Sequence, residues 1–326
     1  MSMPTRAALS ASELVKTYPT GRGQPRVHAL DGLSLETTAG TVFALLGPNG
    51  AGKSTAVKIF ATLSRPDSGQ ATVAGINVVR HPDAVRRRIG LVSQKASSDP
   101  MATARENLVL AGQIQGMSRS SARARARELL ASFALDDAAD RLAKTYSGGM
   151  ARKLDVAIGL VHRPAVLFLD EPTTGLDPEA RAQLWAEIGR LAGEEDVSVL
   201  LTTHYLEEAD QLADRLAIVD HGRVVVQGSP EQLKSELKGD TVQLELSSPL
   251  VANGAAGALS RLTTLNDVTV DGVTLRARAD SGARAVPAVL AVLEDAGIEV
   301  ASVTVARPSL DDVYLRHVGR TFEVAA

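Results

Sequence analysis

Residues 41–63 read TVFALLGPNGAGKSTAVKIFATL, an apolar run, a glycine-rich turn and then a helical pattern. The run Val42 to Leu46 has the unbroken hydrophobicity of a strand buried on both faces. The turn that follows, Gly47-Pro48-Asn49-Gly50-Ala51-Gly52-Lys53-Ser54 with Thr55 beyond it, fits the spacing G-x-x-x-x-G-K-[ST]. Gly47, Gly50 and Gly52 allow close approach of the backbone to phosphate oxygens and positive φ. Successive amides and the helix N-terminus then face the anion. Lys53 is placed to reach the β- and γ-phosphates and Ser54 to ligate Mg²⁺. Chance produces such a match in a chain of this length roughly 1% of the time. The strand-turn-helix context lowers that further, so the segment predicts an α/β P-loop fold that binds a nucleoside triphosphate.

Composition narrows what such a fold serves. The 326 residues are 44% hydrophobic, enough for one large domain or two smaller ones, and carry a formal net charge of −3. That balance argues against general nucleic-acid binding, which needs a basic surface. Cysteine is absent, which excludes disulfides, thiolate metal sites and thiol catalysis. The opening MSMPTRAALSASEL lacks the apolar stretch of a signal peptide, and no run of about 18 apolar residues follows. A soluble, cytoplasmic chain is expected.

A second acidic segment, AVLFLDEPTTGLDP, places Asp170 and Glu171 after another continuous apolar run, Ala165 to Leu169. At the carboxyl end of a parallel strand, one acid can hold a metal while its neighbour polarises the attacking water. Upstream, Ser147, Gly148 and Gly149 immediately precede a helix, a second anion site by the helix-terminus argument. One nucleotide does not need two such sites in one subunit. A dimer in which this site caps the γ-phosphate bound by the partner's loop is the economical arrangement.

The order GPNGAGKST, Gln94 after a strand, SGG before a helix, LFLDEP, GLD and His204 after SVLLTT resembles an ABC transporter nucleotide-binding domain over residues 8 to 230. The resemblance implies Mg-ATP as ligand, Tyr18 stacked on adenine, and Gln94 touching the metal or water. It also implies Ser54, Gln94 and Asp170 around Mg²⁺, and Ser147 to Gly149 reaching the partner's γ-phosphate. Glu171 would act as general base, Asp177 would communicate across a homodimer, and His204 would hold the γ-phosphate. One departure is Met150, where the family's signature has a polar side chain.

Residues 95–155 read as a mostly helical subdomain, with Thr103 and Glu106 forming a capping-box pattern and an Arg-rich, solvated helix face after it. In the resembled family this subdomain offers a groove near Gln94 to a coupling helix of the membrane subunit. The expected organisation is an ATP-binding domain over 1–230, a linker over 231–240 and an α+β domain over 241–326. The last reads β-α-β-β-α-β, with a hairpin turn at Asp271-Gly272, a ferredoxin-like order.

The closing PSLDDVYLRHVGR, with YSGGM and TTHYLEEADQLADRLAIVDHGRVV, resembles ATP-binding subunits of the daunorubicin/doxorubicin-resistance type. Those pair with a separate ABC-2-type permease at the cytoplasmic face of the membrane and export drugs or lipophilic molecules. An import ATPase and a soluble ABC ATPase are the competing expectations. The second usually needs a long coiled coil or a second cassette, which 326 residues do not hold.

Overall fold

The strand that precedes the glycine-rich turn lies inside a parallel sheet because its neighbours are as apolar as it is. A computed structural model of the chain describes residues 7–19, 25–195, 197–237, 239–248 and 251–319. The chain divides into two units between Pro230 and Glu231. The first contains β1 (Ala7–Tyr18), β2 (Val27–Thr38), β3 (Val42–Leu46), α1 (Lys53–Phe60), β4 (Ser68–Val73) and β5 (Ile76–Asn77). There follow α2 (Pro82–Arg86), β6 (Ile89–Val92), α3 (Ala104–Ile114), α4 (Arg119–Ser132), α5 (Gly148–Gly159), β7 (Val166–Asp170) and α6 (Pro178–Glu195). The unit closes with β8 (Ser198–Thr203), α7 (Leu206–Leu212), β9 (Arg215–Asp220) and β10 (Arg223–Gly228).

Six strands form one sheet in the order β10-β9-β3-β8-β7-β6, parallel except for the edge strand β10. Every residue of β3 and β8 is buried, as the continuous apolar runs require. Parallel pairing brings the carboxyl ends of β6, β7, β8 and β3 to one edge in adjacent order. Leu46 pairs with Thr203, Asp170 with Thr202, and Val92 with Leu169. This edge is where open α/β sheets bind ligands.

A second, antiparallel sheet runs β2-β1-β4-β5. Leu14, Leu30 and Leu33 from it close a core with Ile59, Phe60 and Phe168, so α1 is sandwiched and the turn before it is held from behind. The Phe60 and Phe168 rings stack with centroids 6.3 Å apart. Residues 95–155 carry α3, α4 and the start of α5. The Thr103–Glu106 capping box forms at the start of α3. Arg119, Arg123 and Arg127 of α4 face solvent, whereas Arg125 turns inward, 8% exposed, and donates to Leu160 O.

The second unit holds β11 (Asp240–Leu246), α9 (Ala252–Leu259), β12 (Asn266–Asp271), β13 (Thr274–Ala279), α10 (Gly282–Asp295), β14 (Val300–Ala306) and α11 (Leu310–Val318). Its antiparallel sheet has the order β12-β13-β11-β14, the split β-α-β-β-α-β arrangement. Strand alternation explains the layers. Val242, Leu244, Leu275 and Ala277 pack against Ala255 and Leu259 of α9 and Val289 and Leu293 of α10. The opposite face carries Thr241, Gln243, Arg276 and Arg278.

Two local readings shift. Residues 231–240 are not merely a linker: α8 (Pro230–Ser235) forms there and β11 begins at Asp240. The hairpin loop is one residue later than expected. Asp271 pairs with Thr274 as the last residue of its strand, so Gly272 and Val273 make the turn, with Gly272 at φ +60°. Glycine at the first loop position serves a two-residue turn as well as Asp-Gly does.

Candidate functional site

The glycine-rich turn is fixed by contacts that a side chain would break. A Cβ on Gly47 would stand 2.2 Å from the Val219 carbonyl oxygen, which excludes any other residue there although its φ is not positive. Gly52 caps the start of α1 at φ +107°, and a Cβ there would lie 2.3 Å from the Ala29 carbonyl. The turn therefore presents bare backbone, with Pro48, Asn49, Gly50, Ala51 and Thr55 around the first turn of α1.

Lys53 is 4% exposed, and its Nζ donates to Gly47 O at 2.6 Å and Pro48 O at 3.1 Å. Burial pushes this ammonium below the usual lysine range, while the negative charges of Glu171 and Asp170 act against that. Ser54 Oγ donates to Asp170 Oδ1 at 3.0 Å, across 116 residues of sequence. Thr202 Oγ1 donates to the same oxygen at 2.6 Å. The Ser54 hydroxyl, the Asp170 carboxylate and the Gln94 amide are hard oxygen donors of the kind Mg²⁺ takes. Among the described residues no cluster of three His, Cys, Asp or Glu could cage a metal. A Mg²⁺ ion held by these donors would take substrate phosphate oxygens as further ligands, as it usually does in phosphoryl-transfer sites.

Glu171 is the hub. Its carboxylate is 9% exposed; Oε2 accepts from Gln94 Nε2 at 2.7 Å, and Oε1 lies 3.9 Å from Lys53 Nζ. His204 Nδ1 approaches Oε1 to 3.2 Å without the alignment of a hydrogen bond. The Glu171 backbone is held in the left-handed region, φ +48°, by its N–H donating to Thr202 O and Thr202 Oγ1, each at 3.1 Å. A non-glycine residue pays on the order of 1–3 kcal/mol for such a conformation, and strain of this kind clusters at functional sites. The arrangement suits a carboxylate acting as base on water, flanked by an ammonium, an amide and an imidazole.

Lys53, Ser54, Gln94, Asp170, Glu171 and His204 are thus brought together. The remaining expected residues stand elsewhere in the unit. Ser147 caps α5, its Oγ accepting from Met150 N at 3.3 Å, so the Met150 amide is already used locally. A Cβ on Gly149 would lie 2.8 Å from Ala180 Cβ, which seats the start of α5 against the start of α6. Asp177 Oδ1 accepts from Ala180 N at 2.8 Å at that same junction. Among the described residues no hydrogen bond links Ser147, Gly148, Gly149 or Asp177 to Glu171. Tyr18 ends β1 with its ring 36% exposed and Lys16 Nζ 5.5 Å from its centroid.

Three polar residues escaped the sequence reading. Arg152, 8% exposed, donates through Nε to Pro172 O and through Nη1 to Ser93 O, both at 2.7 Å, and through Nη2 to Asp170 O at 3.2 Å. It ties the loop carrying Gln94 to the turn carrying Glu171. Asp155 Oδ1 accepts from Ser97 N and Ser98 N, anchoring the same loop. Glu208, fully buried, accepts from Thr173 Oγ1 at 2.9 Å and Trp185 Nε1 at 3.1 Å, and burial raises its pKa. The only sequence signal for them is a charged residue at an otherwise apolar helical position.

A family model described as ABC transporter matches residues 30–174, and one described as the C-terminal domain of DrrA1-3-like ATP-binding proteins matches 228–318. The daunorubicin/doxorubicin resistance ATP-binding protein DrrA of Streptomyces peucetius is 48% identical over 98% of this chain and 94% of its own length. The chain belongs to the ABC transporter ATP-binding proteins of this resistance type. As an ABC ATPase it binds and hydrolyses ATP. A further relative is the linearmycin resistance ATP-binding protein LnrL of Bacillus subtilis, 35% identical over 96% of this chain and 99% of its own. Among solved structures, a dimeric ATP-binding cassette in a post-hydrolysis state with ADP and Pi aligns with TM-score 0.61. That cassette is 27% identical, and the alignment covers 68% of this chain and 98% of its own. Among the described residues of this ABC subunit, no helix is long and apolar enough to cross a membrane.

Proposed function

We propose that two copies of this ABC ATPase close over two Mg-ATP molecules and drive a separate ABC-2-type permease that exports lipophilic compounds. The observation that carries the hydrolytic part is the convergence of Gln94, Lys53 and His204 on the Glu171 carboxylate. Glu171 acts as general base on the attacking water. Gln94 orients it, and Lys53 and His204 supply positive or hydrogen-bonding groups to the γ-phosphate. Mg²⁺, when bound, neutralises phosphate charge beside Ser54 and Asp170. Tyr18 stacks on the adenine.

The shared-site part rests on α5. Its N-terminus, capped by Ser147 and opening with Gly148 and Gly149, is a second helix end able to receive an anion, and one nucleotide does not need two such ends in one subunit. Placed over the partner's γ-phosphate, it gives ATP more ligands in the closed pair than in the open one. A ligand shifts such an equilibrium only through that difference in affinity. Asp177, at the α5–α6 junction, would face the partner. The Met150 side chain is dispensable, because backbone amides bind the phosphate.

The exporter part rests on the relatives, two of which are named for resistance to daunorubicin/doxorubicin and to linearmycin. The subunit is then peripheral, at the cytoplasmic face of the membrane. Leu63, Leu110 and Ile114, 64%, 55% and 75% exposed, rim a groove beside β6 that offers an apolar seat to a coupling helix of the permease. No nucleic acid is a partner. Co-expression with a candidate membrane subunit, one of about six apolar spans and no ATPase motif, tests this. Co-purification and drug-stimulated ATP hydrolysis in vesicles are expected; transport inward, or no association, would overturn it.

A further inference from the structure

The second unit contains a charged cavity that ATP hydrolysis does not use. Strand alternation puts Arg276 and Arg278 on the sheet face opposite α9 and α10. On that face α11 is tied to β11, with Thr241 Oγ1 donating to Asp312 Oδ2 at 3.1 Å. A cavity of about 390 Å³ lies there, lined by Arg276, Arg278, Arg316 and Asp312 and by apolar Leu237 and Leu315. Its size falls within the range of small-molecule pockets.

Arg278 is only 8% exposed. Its Nη1 donates to Gly239 O at 3.2 Å, but its Nη2 has no hydrogen-bond partner among the described residues. The carboxylate paired with Nη2, Asp312 Oδ2, is 3.9 Å away and is engaged by Thr241 Oγ1, Ser309 N and Ser309 Oγ. Arg316 Nη1 is likewise 3.9 Å from Asp267 Oδ2, beyond hydrogen-bond range. Arg276 Nε is used by Gln243 Oε1 at 3.2 Å. The lining holds three guanidinium groups and two carboxylates, Asp267 and Asp312, and the Asp311 carboxylate acts on Arg276 from beside it. A buried donor left unmatched is costly, and such a group calls for a partner that the fold itself does not supply.

We propose that this cavity binds a singly charged organic carboxylate with an apolar body. Arg278 Nη2 and the Arg316 guanidinium receive the carboxylate, the pairing that guanidinium forms best. Leu237 and Leu315 cover the hydrocarbon. A carboxylate offers guanidinium a planar pair of oxygens, and its hydrocarbon covers the apolar wall, which inorganic phosphate would leave bare.

Isothermal titration of the full chain with octanoate tests the proposal, with octylammonium and inorganic phosphate as comparison ligands. Octanoate should bind one per chain and octylammonium should not. Arg278→Met should weaken octanoate by about tenfold or more. Arg316→Gln, at a side chain 54% exposed, should weaken it severalfold without disturbing the fold. Arg307→Gln, outside the cavity, should change nothing, and ATP hydrolysis should stay at the wild-type rate in all three. The proposal is overturned by absent octanoate binding, by octylammonium or phosphate binding as well as octanoate, or by unaltered octanoate affinity in both Arg278→Met and Arg316→Gln.

Discussion

Gln94 Nε2 donates to Glu171 Oε2 at 2.7 Å, joining the loop after β6 to the end of β7. One carboxylate oxygen is thereby fixed, and the other is left facing His204 and Lys53. Gln94→Ala should lower the kcat for ATP by about 10²-fold, the usual cost of removing one positioned polar group, with ATP binding nearly unchanged. Single-turnover hydrolysis and nucleotide titration separate the two effects. A loss of binding equal to the loss of rate would place Gln94 in nucleotide affinity rather than in the chemistry.

Arg152 joins two segments of the site through the backbone carbonyls of Ser93, Asp170 and Pro172 and is buried while doing so. Burial lowers its pKa, with Asp155, Asp170 and Glu208 opposing the shift. Arg152→Met fills the space but strands those carbonyls, so unfolding should become easier by on the order of 3 kcal/mol. Denaturant melts of the two proteins measure this. An unchanged midpoint would mean that water replaces the guanidinium without cost.

Much of this site was legible because its chemistry sits in local patterns. Val42–Leu46 with Gly47–Ser54 predicts strand, turn and helix from about a dozen residues, and LFLDEP does the same for β7. Arg152, Asp155 and Glu208 were not legible. Each acts on backbone or side chains 18 or more residues away, and nothing in the local sequence says which partner a buried charge will find. Gly47 illustrates a partial success. Glycine is needed there, but for the Val219 carbonyl across the sheet rather than for positive φ. In the second unit the alternating strands were readable, while the one-residue shift of the hairpin depended on Asp271 pairing with Thr274.

Ser54 and Asp170 share a hydrogen bond at the expected cation position. Ser54→Ala removes one oxygen donor and leaves Asp170 with Thr202. The Mg²⁺ concentration giving half-maximal hydrolysis should rise about tenfold or more, since each lost ligand weakens a hard-cation site. A Mg²⁺ titration at saturating ATP checks it. An unshifted curve would remove Ser54 from the metal's shell.

Asp67 accepts from Lys16 Nζ, Thr17 N and Thr17 Oγ1, fixing the strand end that carries Tyr18. The Lys16 hydrogen bond, followed by those from Thr17, lowers its pKa from 3.8 to about 2. Because the folded pKa is depressed, the contribution is complete above pH 3.8 and is lost as pH falls through about 2. Asp67→Asn should flatten the acid-unfolding curve over that window. A carboxyl titration of Asp67 by NMR with a midpoint near 3.8 would contradict the tether.

The central claim is that Glu171 is the base in a site completed by a second subunit. Glu171→Gln keeps the size and one acceptor but cannot take a proton, so hydrolysis should fall by about 10²–10³-fold while ATP binding persists. Analytical ultracentrifugation of Glu171→Gln with Mg-ATP, alongside Glu171→Gln/Ser147→Arg, reads both halves of the claim together. The account predicts a stable ATP-bound dimer for the first protein and a nucleotide-bound monomer for the second. Wild-type hydrolysis in Glu171→Gln, or dimers that survive Ser147→Arg, would contradict it.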